Sequence, residues 1–280
     1  MAQEYVKIDK IYQKIKQAQN NQQILYITGP VGIGKTEAVK YFYRKKPVLW
    51  LSGENGYLSQ MPQYSQIKQE TVVIDDLSFI NDNISKEYII QLIGKKKKNI
   101  VMMGRAKLPE WLKKSCLENQ YIMTDYNNLL MNDMETEKLL SNYQVNPDKD
   151  IIHMICEDTM GHALFIVMIA YRMQDNRPYT ESIKEEARID TYQYYHKNLY
   201  ERWPTELGEL LTALANFEVF TVELAEMISG NRNVFALINE AMSLGDFLIV
   251  HEDGSYEMWK RLREYLLYRQ SLDRAMERQN

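Results

Sequence analysis

The stretch GPVGIGKT at residues 29–36 constrains the fold of this chain more than any other part of its sequence. It fits G-x-x-x-x-G-K-[ST], a loop whose backbone N–H groups surround the phosphates of a nucleotide. An apolar, β-prone segment precedes it at residues 24–28, and residues 37–43 follow with apolar side chains at helical spacing. This order predicts a strand, a phosphate loop and a helix whose N-terminus favours the bound anion. The alternative is a glycine-rich turn that binds nothing.

Each position of this loop, called the P-loop below, has an expected part in holding a nucleotide. Lys35 is predicted to reach the β- and γ-phosphates, and the Thr36 hydroxyl to ligate Mg²⁺. The candidate nucleotide-binding residues are the loop and the residue after it: Gly29, Pro30, Val31, Gly32, Ile33, Gly34, Lys35, Thr36 and Glu37. The sequence therefore predicts ATP or ADP, with Mg²⁺, as the ligand.

A second candidate element ends in two carboxylates. Residues 71–76 read as a β-branched strand that leads to Asp75 and Asp76, as in a Walker B element, which holds Mg²⁺ through its Asp. Asp75 is predicted to be the Mg²⁺ partner, and Asp76 to orient and polarise the attacking water. Acids also commonly start loops and cap helices, so the assignment depends on where this strand lies. We expect it beside the first strand.

A third candidate follows the strand predicted at residues 99–103, where Gly104 and Arg105 come next. In open parallel sheets, ligands bind beyond the carboxyl ends of the strands. Arg105 is therefore predicted to contact the γ-phosphate during catalysis, with an exposed surface arginine as the alternative. Further strands are predicted at 47–51 and 121–123. Together these elements predict an α/β fold, a P-loop NTPase with a parallel sheet of about five strands.

Composition limits the environment and the partners of the chain. A formal net charge of −4 gives no reason to expect general nucleic-acid binding. Cys116 and Cys156 lack metal-ligand spacing and are interpreted as reduced thiols of a cytoplasmic protein. The longest apolar run, at residues 163–171, is too short to span a bilayer, and the N-terminus lacks the pattern of a signal peptide. No membrane contact is predicted.

The last third of the chain has a winged-helix pattern with an unusual charge. Between residues 206 and 268 the sequence predicts three helices, then two short strands around a hairpin. This region holds four Arg or Lys and eleven Asp or Glu, a net charge of −7. Such a surface repels DNA phosphates, so a DNA-binding role for this winged helix is not expected.

With these elements the chain resembles the ATPase module of the MalT/LuxR-type large regulators, within the signal-transduction ATPases with numerous domains (STAND). The resemblance rests on GPVGIGKT, on VVIDDL, on Gly104 and Arg105 followed by Pro109, and on the spacing between them. It continues through a lid helix near residues 134–143 and a G-x-P-like turn, in which Ala163 stands where proline is usual.

The resemblance implies a division into four parts. These are a P-loop nucleotide-binding domain (1–125), a helical lid (126–203), a winged-helix domain (204–270) and the start of a linker or further helical region (271–280). In the family the winged helix closes over the nucleotide, and a His near the start of its last helix contacts the β-phosphate of ADP. Lys260 is the candidate for that contact here. The family continues into a sensor and a C-terminal DNA-binding domain, so we expect this chain to be part of a larger regulator or a shortened form.

The function that the resemblance implies is an ATP/ADP-dependent switch in a transcriptional regulator, with slow ATP hydrolysis. Self-association is expected in the ATP state, under the control of an unidentified inducer, with DNA contacted only through a C-terminal domain. The alternative is a DNA-associated ATPase of the AAA+ or origin-recognition type, which also joins a P-loop domain, a lid and a winged helix. A binding module with an inactive nucleotide site is disfavoured by the intact residues Lys35, Thr36, Asp75 and Asp76.

Overall fold

Short apolar segments form the strands of a parallel sheet in the computed structural model of the chain. The structure describes residues 5–95, 97–231, 233–245 and 247–277, with side chains as far as residue 275. The chain divides into two compact units, Met1–Thr191 and Tyr192–Asn280. Among the described residues, no helix is long and apolar enough to cross a membrane.

The first unit begins with the sheet and its flanking helices. In chain order these are α1 (Asp9–Asn20), β1 (Ile24–Thr28), α2 (Lys35–Tyr43), β2 (Val48–Ser52), β3 (Thr71–Asp75), α3 (Asn83–Gly94), β4 (Asn99–Gly104), α4 (Glu110–Glu118) and β5 (Tyr121–Thr124). The following helices are α5 (Asp133–Asn142), α6 (Lys149–Thr159), α7 (Ala163–Arg172) and α8 (Glu181–Asn198), the last of which runs into the second unit.

The sheet has the strand order β2–β3–β4–β1–β5, and every pair is parallel. This confirms the predicted α/β fold with five strands. The expectation that the acidic strand lies beside the first strand is wrong, because β4 lies between β1 and β3 and pairs with both. The register places Thr28 opposite Gly104 and Ile74 opposite Met102, so the three strands end at the same edge of the sheet.

Alternate residues of each strand face two separate apolar cores, as the two-residue period of a strand requires. Leu25 and Ile27 pack with Val39 of α2 in one core. Tyr26 packs with Ile89 of α3 in the other. Each fully buried Leu or Ile contributes roughly 1.5–3 kcal/mol, so burial on both faces explains why these strands are continuous apolar runs.

The first helix after the sheet, α5, begins at a well-defined cap. Asn132 and Glu135 form a capping box at the start of α5, in which each side chain accepts the backbone N–H of the other residue. Glu135 is buried, and its Oε1 also accepts the N–H of Asp9 at 3.0 Å. One carboxylate therefore joins the beginning of α5 to the beginning of α1.

The second unit has the predicted winged-helix arrangement. After the end of α8 it contains α9 (Thr205–Leu214), β6 (Val219–Phe220), α10 (Val222–Ser229), α11 (Val234–Leu244), β7 (Leu248–Val250), β8 (Tyr256–Met258) and α12 (Lys260–Glu277). The three strands form an antiparallel sheet in the order β6–β8–β7. Leu211 of α9 and Ile238 of α11 are fully buried, and Tyr195 of α8 packs against Trp259 and Tyr265.

Candidate nucleotide-binding site

Glycines shape the P-loop. Gly34 is the N-cap of α2 with a φ of 97°, a left-handed conformation that glycine adopts without steric penalty. Gly32 has a φ of 78°, and a Cβ at this position would lie 2.8 Å from Cδ2 of Leu164. The loop leads directly into the first turn of α2, where backbone N–H groups have no intrahelical partner and are suited to bind an anion. Among the loop side chains, Val31 and Ile33 are buried.

The amine of Lys35 lies against the loop that precedes it. Its Nζ donates to the carbonyl oxygen of Gly29 at 2.7 Å and of Pro30 at 3.0 Å. Phosphate oxygens would make stronger, charge-assisted bonds with the same amine. Glu37 lies further along α2, where its Oε1 accepts from Lys40 at 3.3 Å. When a nucleotide binds, we therefore expect the Lys35 amine to leave the carbonyl oxygens of Gly29 and Pro30 and to donate to a phosphate.

A hydrogen bond joins the P-loop to the acidic strand. Thr36 Oγ1 donates to Asp75 Oδ2 at 2.9 Å. Hydroxyl and carboxylate oxygens are the hard ligands that Mg²⁺ prefers, usually together with water and the phosphates of a substrate. This donor set fits the ion: Thr36 and Asp75 would hold Mg²⁺, which remains a prediction, and the ion would neutralise charge on the phosphates.

The environment of Asp75 favours a cation beside it. The residue is 7% exposed, and burial raises the pKa of its carboxyl. The negative charge of Asp76 raises this pKa further, while the hydrogen bonds from Thr36 and from the N–H of Asp76 lower it. A buried carboxylate beside a second acid is costly when ionised, and a bound divalent cation would offset that cost.

Asp76 occupies a different environment from Asp75. Its backbone has a φ of 56° and a ψ of 33°, the left-handed region that Asp tolerates better than most residues. Its N–H donates to Asp75 Oδ1 at 2.9 Å, whereas its own Oδ2 accepts from Ser52 Oγ at 3.4 Å. Ser52 ends β2, so the two acids make contacts on different sides of β3.

Arg105 lies immediately beyond β4, at the same edge of the sheet. The residue before it, Gly104, pairs with Thr28, which directly precedes the P-loop. The Arg105 N–H donates to Ser78 Oγ at 2.7 Å, and its guanidinium lies 4.6 Å from the centre of the Phe79 ring. The structure thus places the loop, both acids and Arg105 at one sheet edge, while their functional roles stay predictions.

A cavity of about 840 Å³ opens beside Gly34 and Glu37. Its other walls include Tyr5 from the N-terminal segment and two lid residues, Tyr143 and Tyr171, whose ring centres are 4.9 Å apart. Its volume is within the range of small-molecule sites. Sequence analysis missed these three tyrosines because no short motif marks them. The one sequence signal concerns Tyr143, which stands at the end of the lid helix predicted near residues 134–143.

The turn before α7 touches the P-loop directly. The N–H of Leu164 donates to the carbonyl oxygen of Gly32 at 3.0 Å. Ala163, which stands at the proline position of the G-x-P turn, has its Cβ 3.4 Å from the point that a Cβ on Gly34 would occupy. The lid therefore contacts the loop through backbone as well as side chains.

Lys260 belongs to the other unit of the chain. It is exposed and is the first residue of α12. The other candidate residues all belong to Met1–Thr191, whereas Lys260 belongs to Tyr192–Asn280. Its contact with a nucleotide stays a prediction.

The solved structure of one ATPase shares this architecture. A Walker-type ATPase of Pyrococcus abyssi superposes with a TM-score of 0.67 at 11% sequence identity, over 93% of this chain and 95% of that chain. The chain has the fold of a P-loop ATPase. This identity is too low to transfer more than the fold.

Two other solved structures match less closely. A STAND protein with a tetratricopeptide-repeat sensor from Pyrococcus horikoshii gives a TM-score of 0.40 at 15% identity, over 91% of this chain and 41% of that chain. The replication initiator DnaA bound to AMPPCP and single-stranded DNA gives 0.46 at 12% identity, over 83% and 87%. At these scores neither supports an argument about this chain. The sequence itself matches no family model and no curated protein.

Proposed function

We propose that this chain is an ATP/ADP-dependent conformational switch, the ATPase module of a signal-responsive transcriptional regulator. The observation that carries the proposal is the hydrogen bond between Thr36 and Asp75. A glycine-rich turn that binds nothing has no need to join its last hydroxyl to a buried carboxylate on another strand. A loop that holds a metal-bound nucleotide requires this pairing.

Each candidate residue then has a task in phosphoryl transfer to water. Lys35 binds the β- and γ-phosphates, and Thr36 and Asp75 hold Mg²⁺, which supplies charge neutralisation at the phosphate oxygens. Asp76 orients the attacking water and accepts its proton. Arg105 stabilises the negative charge of the γ-phosphate.

The cavity beside Gly34 supports the switch as well as the binding. We propose that it takes the base and ribose, between Tyr5 of the N-terminal segment and the lid tyrosines. A nucleotide there would contact both the P-loop helix and the lid. Such a ligand favours one lid position over another by its differential affinity for the two. Slow hydrolysis would then change the state of the lid when the γ-phosphate is lost.

The partners follow from the same proposal. The ATP form self-associates, an unidentified inducer is a further partner, and DNA is contacted only through a C-terminal domain of a larger regulator. Cys116 and Cys156 are free thiols, which suits a cytoplasmic protein.

Lys260 retains ADP through a charge contact, so Lys260→Ala is expected to release ADP faster than the parent chain.

The winged helix favours this proposal over a DNA-associated ATPase. Its helix-turn-helix is formed by α10 and α11, and the second helix of such a motif enters the major groove. The only charged residue of α11 is Glu240. Groove binding needs Lys or Arg side chains, and α11 has none. The net charge of −7 over residues 206–268 also opposes contact with DNA phosphates.

Isothermal calorimetry with ATP and ADP, with and without Mg²⁺, tests the proposal. Lys35→Ala removes charge-assisted contacts worth about 1.5–3 kcal/mol, so affinity should fall roughly 10- to 150-fold. Lys113→Ala is the matched control, because Lys113 is an exposed lysine of α4 that pairs with Glu110. Wild-type affinity in Lys35→Ala would reject the site.

A further inference from the structure

Ser78 lies in the turn Leu77–Phe79, which directly follows the two acids. Its Oγ accepts hydrogen bonds from the backbone N–H of Arg105 at 2.7 Å and of Ala106 at 3.3 Å. Backbone N–H groups removed from water need a partner, and this hydroxyl provides it for two consecutive residues. One side chain thus connects the segment after β3 to the segment after β4.

The segment after β4 is also fixed from its other neighbour, β1. Tyr26 Oη and Thr28 Oγ1, both buried, donate to the carbonyl oxygen of Ala106. A Cβ on Gly104 would lie 2.3 Å from the Tyr26 oxygen and 2.9 Å from Ser78 Oγ. The backbone that carries Arg105 is therefore held from both sides, by β1 and by Ser78.

The same turn also holds the side chain of Arg105. The guanidinium lies 4.6 Å from the centre of the Phe79 ring, within the range of a cation–π contact. Ser78 and Phe79 are consecutive, and Asp76 is the N-cap of their turn. The placement of Arg105 relative to Asp76 is therefore set by this turn, through one backbone contact and one side-chain contact.

We propose that Ser78 is a positioning residue, which sets Arg105 relative to Asp76 when the γ-phosphate is present. This inference rests on the proposed ATPase function, in which Arg105 faces the γ-phosphate and Asp76 faces the water. Both groups must be correctly placed in the transition state, and small misplacements are costly there. ADP has no γ-phosphate, so its binding should not depend on Ser78.

Ser78→Ala removes the acceptor but leaves both N–H groups in place. We expect kcat to fall by about tenfold or more, as for a misplaced catalytic group. The KM for ATP and the affinity for ADP should change by no more than about twofold, because the interaction acts in the transition state. Ser78→Thr keeps the hydroxyl and should restore kcat, and Ser78→Cys, whose sulfur is a weaker acceptor, should be intermediate.

A double-mutant cycle with Arg105→Ala separates positioning from general stability. If Ser78 acts through Arg105, Ser78→Ala should reduce kcat little further in the Arg105→Ala background. An exposed serine of α11, Ser243, supplies the control variant Ser243→Ala, and thermal melting of every variant checks folding. Equal losses of kcat in both backgrounds overturn the inference. So does a Ser78→Cys variant with the parent kcat, which also decides the case if Ser78→Ala does not fold.

The same measurements separate this inference from the function on which it rests. A parent chain that neither binds nor hydrolyses ATP overturns the proposed function, and the role of Ser78 falls with it. A parent chain that hydrolyses ATP, with a Lys35-dependent rate and an additive cycle, supports the ATPase and overturns only the role of Ser78.

Discussion

The hydroxyl of Thr36 donates a 2.9 Å hydrogen bond to Oδ2 of Asp75, 39 residues further along the chain. The other carboxylate oxygen of Asp75 accepts the N–H of Asp76. Asp76 places its own carboxylate beside Ser52, at the end of a different strand. Two adjacent acids in distinct environments are suited to distinct roles, one at the metal and one at the water.

These environments predict that removing the charge of each acid affects a different step: binding for Asp75 and hydrolysis for Asp76. Asp75→Asn should weaken Mg²⁺-dependent ATP binding, because it removes a charged ligand. Asp76→Asn should leave affinity near that of the parent but slow hydrolysis by about 10²–10⁴-fold, the usual contribution of a general base. Calorimetry measures the affinity, and a phosphate-release assay measures the rate.

Asp273→Asn is the control for both, since Asp273 is an exposed residue of α12 paired with Arg269. Hydrolysis at the parent rate by Asp76→Asn would remove Asp76 from the mechanism.

Asp75 should also limit the stability of the chain without a ligand. Its folded-state pKa is raised by burial and by Asp76, so its ionised form is disfavoured in the folded protein. Its contribution to stability is favourable at low pH and is lost as the pH rises through that pKa. At neutral pH, Asp75→Asn should therefore raise the Tm of the chain without ligand, because the amide carries no charge to bury.

Thermal melts over a pH series, with and without Mg²⁺ and ADP, measure this effect. The difference in Tm between Asp75→Asn and the parent should grow as the pH rises, and should shrink or reverse when the ligands are added. If Asp75→Asn had a lower Tm than the parent without ligand at neutral pH, the Asp75 carboxylate would not destabilise the folded chain.

Local sequence patterns predicted the strands and the P-loop because each is encoded by consecutive residues. The strand expected at residues 24–28 is β1 (Ile24–Thr28), a fully buried apolar run. The order of strands was not predictable in the same way. It depends on where each crossover returns to the sheet, and β4 enters between β1 and β3.

The same distinction separates the predicted and the missed residues of the site. Lys35, Thr36 and Asp75 belong to motifs, so their types and spacing were enough to find them. Tyr143 lines the cavity and Ser78 contacts Arg105 only because distant segments meet in the folded chain. No local period or spacing records such contacts.

From the backbone conformation of the turn before α7, we predict that proline is tolerated at position 163, where the chain has alanine. Ala163 is the first residue of α7, a position where proline is favoured because the N–H has no intrahelical partner. His162 before it has a φ of −76° and a ψ of 111°, the extended conformation that a residue before proline adopts. Ala163→Pro should therefore stabilise the chain by about 0.4–1 kcal/mol.

Gly161→Ala provides the opposite case in the same turn. Gly161 has a φ of 68°, and its Cβ would lie 2.3 Å from the carbonyl oxygen of Met131, so this variant should be strongly destabilised. Denaturant unfolding measures both variants. Loss of stability in Ala163→Pro would show that this turn differs from the G-x-P turn that it resembles.

The last prediction concerns DNA, because it separates the regulatory switch from a DNA-associated ATPase. The winged helix carries a net charge of −7 over residues 206–268, and its α11 has no Lys or Arg. Protein–DNA affinity is supplied largely by Lys and Arg that displace counterions, and therefore falls steeply with salt. A surface of this charge should bind duplex DNA neither in the presence nor in the absence of ATP.

Fluorescence anisotropy with labelled duplex DNA tests this over a salt series, with ATP, with ADP and without nucleotide. We expect no salt-sensitive binding by residues 1–280 near physiological ionic strength, because no counterions are released from the DNA by an acidic face. Glu240→Lys adds a cation to α11 and serves as the sensitised variant: any increase in its affinity shows that the face is accessible and that charge opposes the contact. Micromolar or tighter binding by the parent chain that falls steeply with salt would overturn the switch in favour of the DNA-associated ATPase.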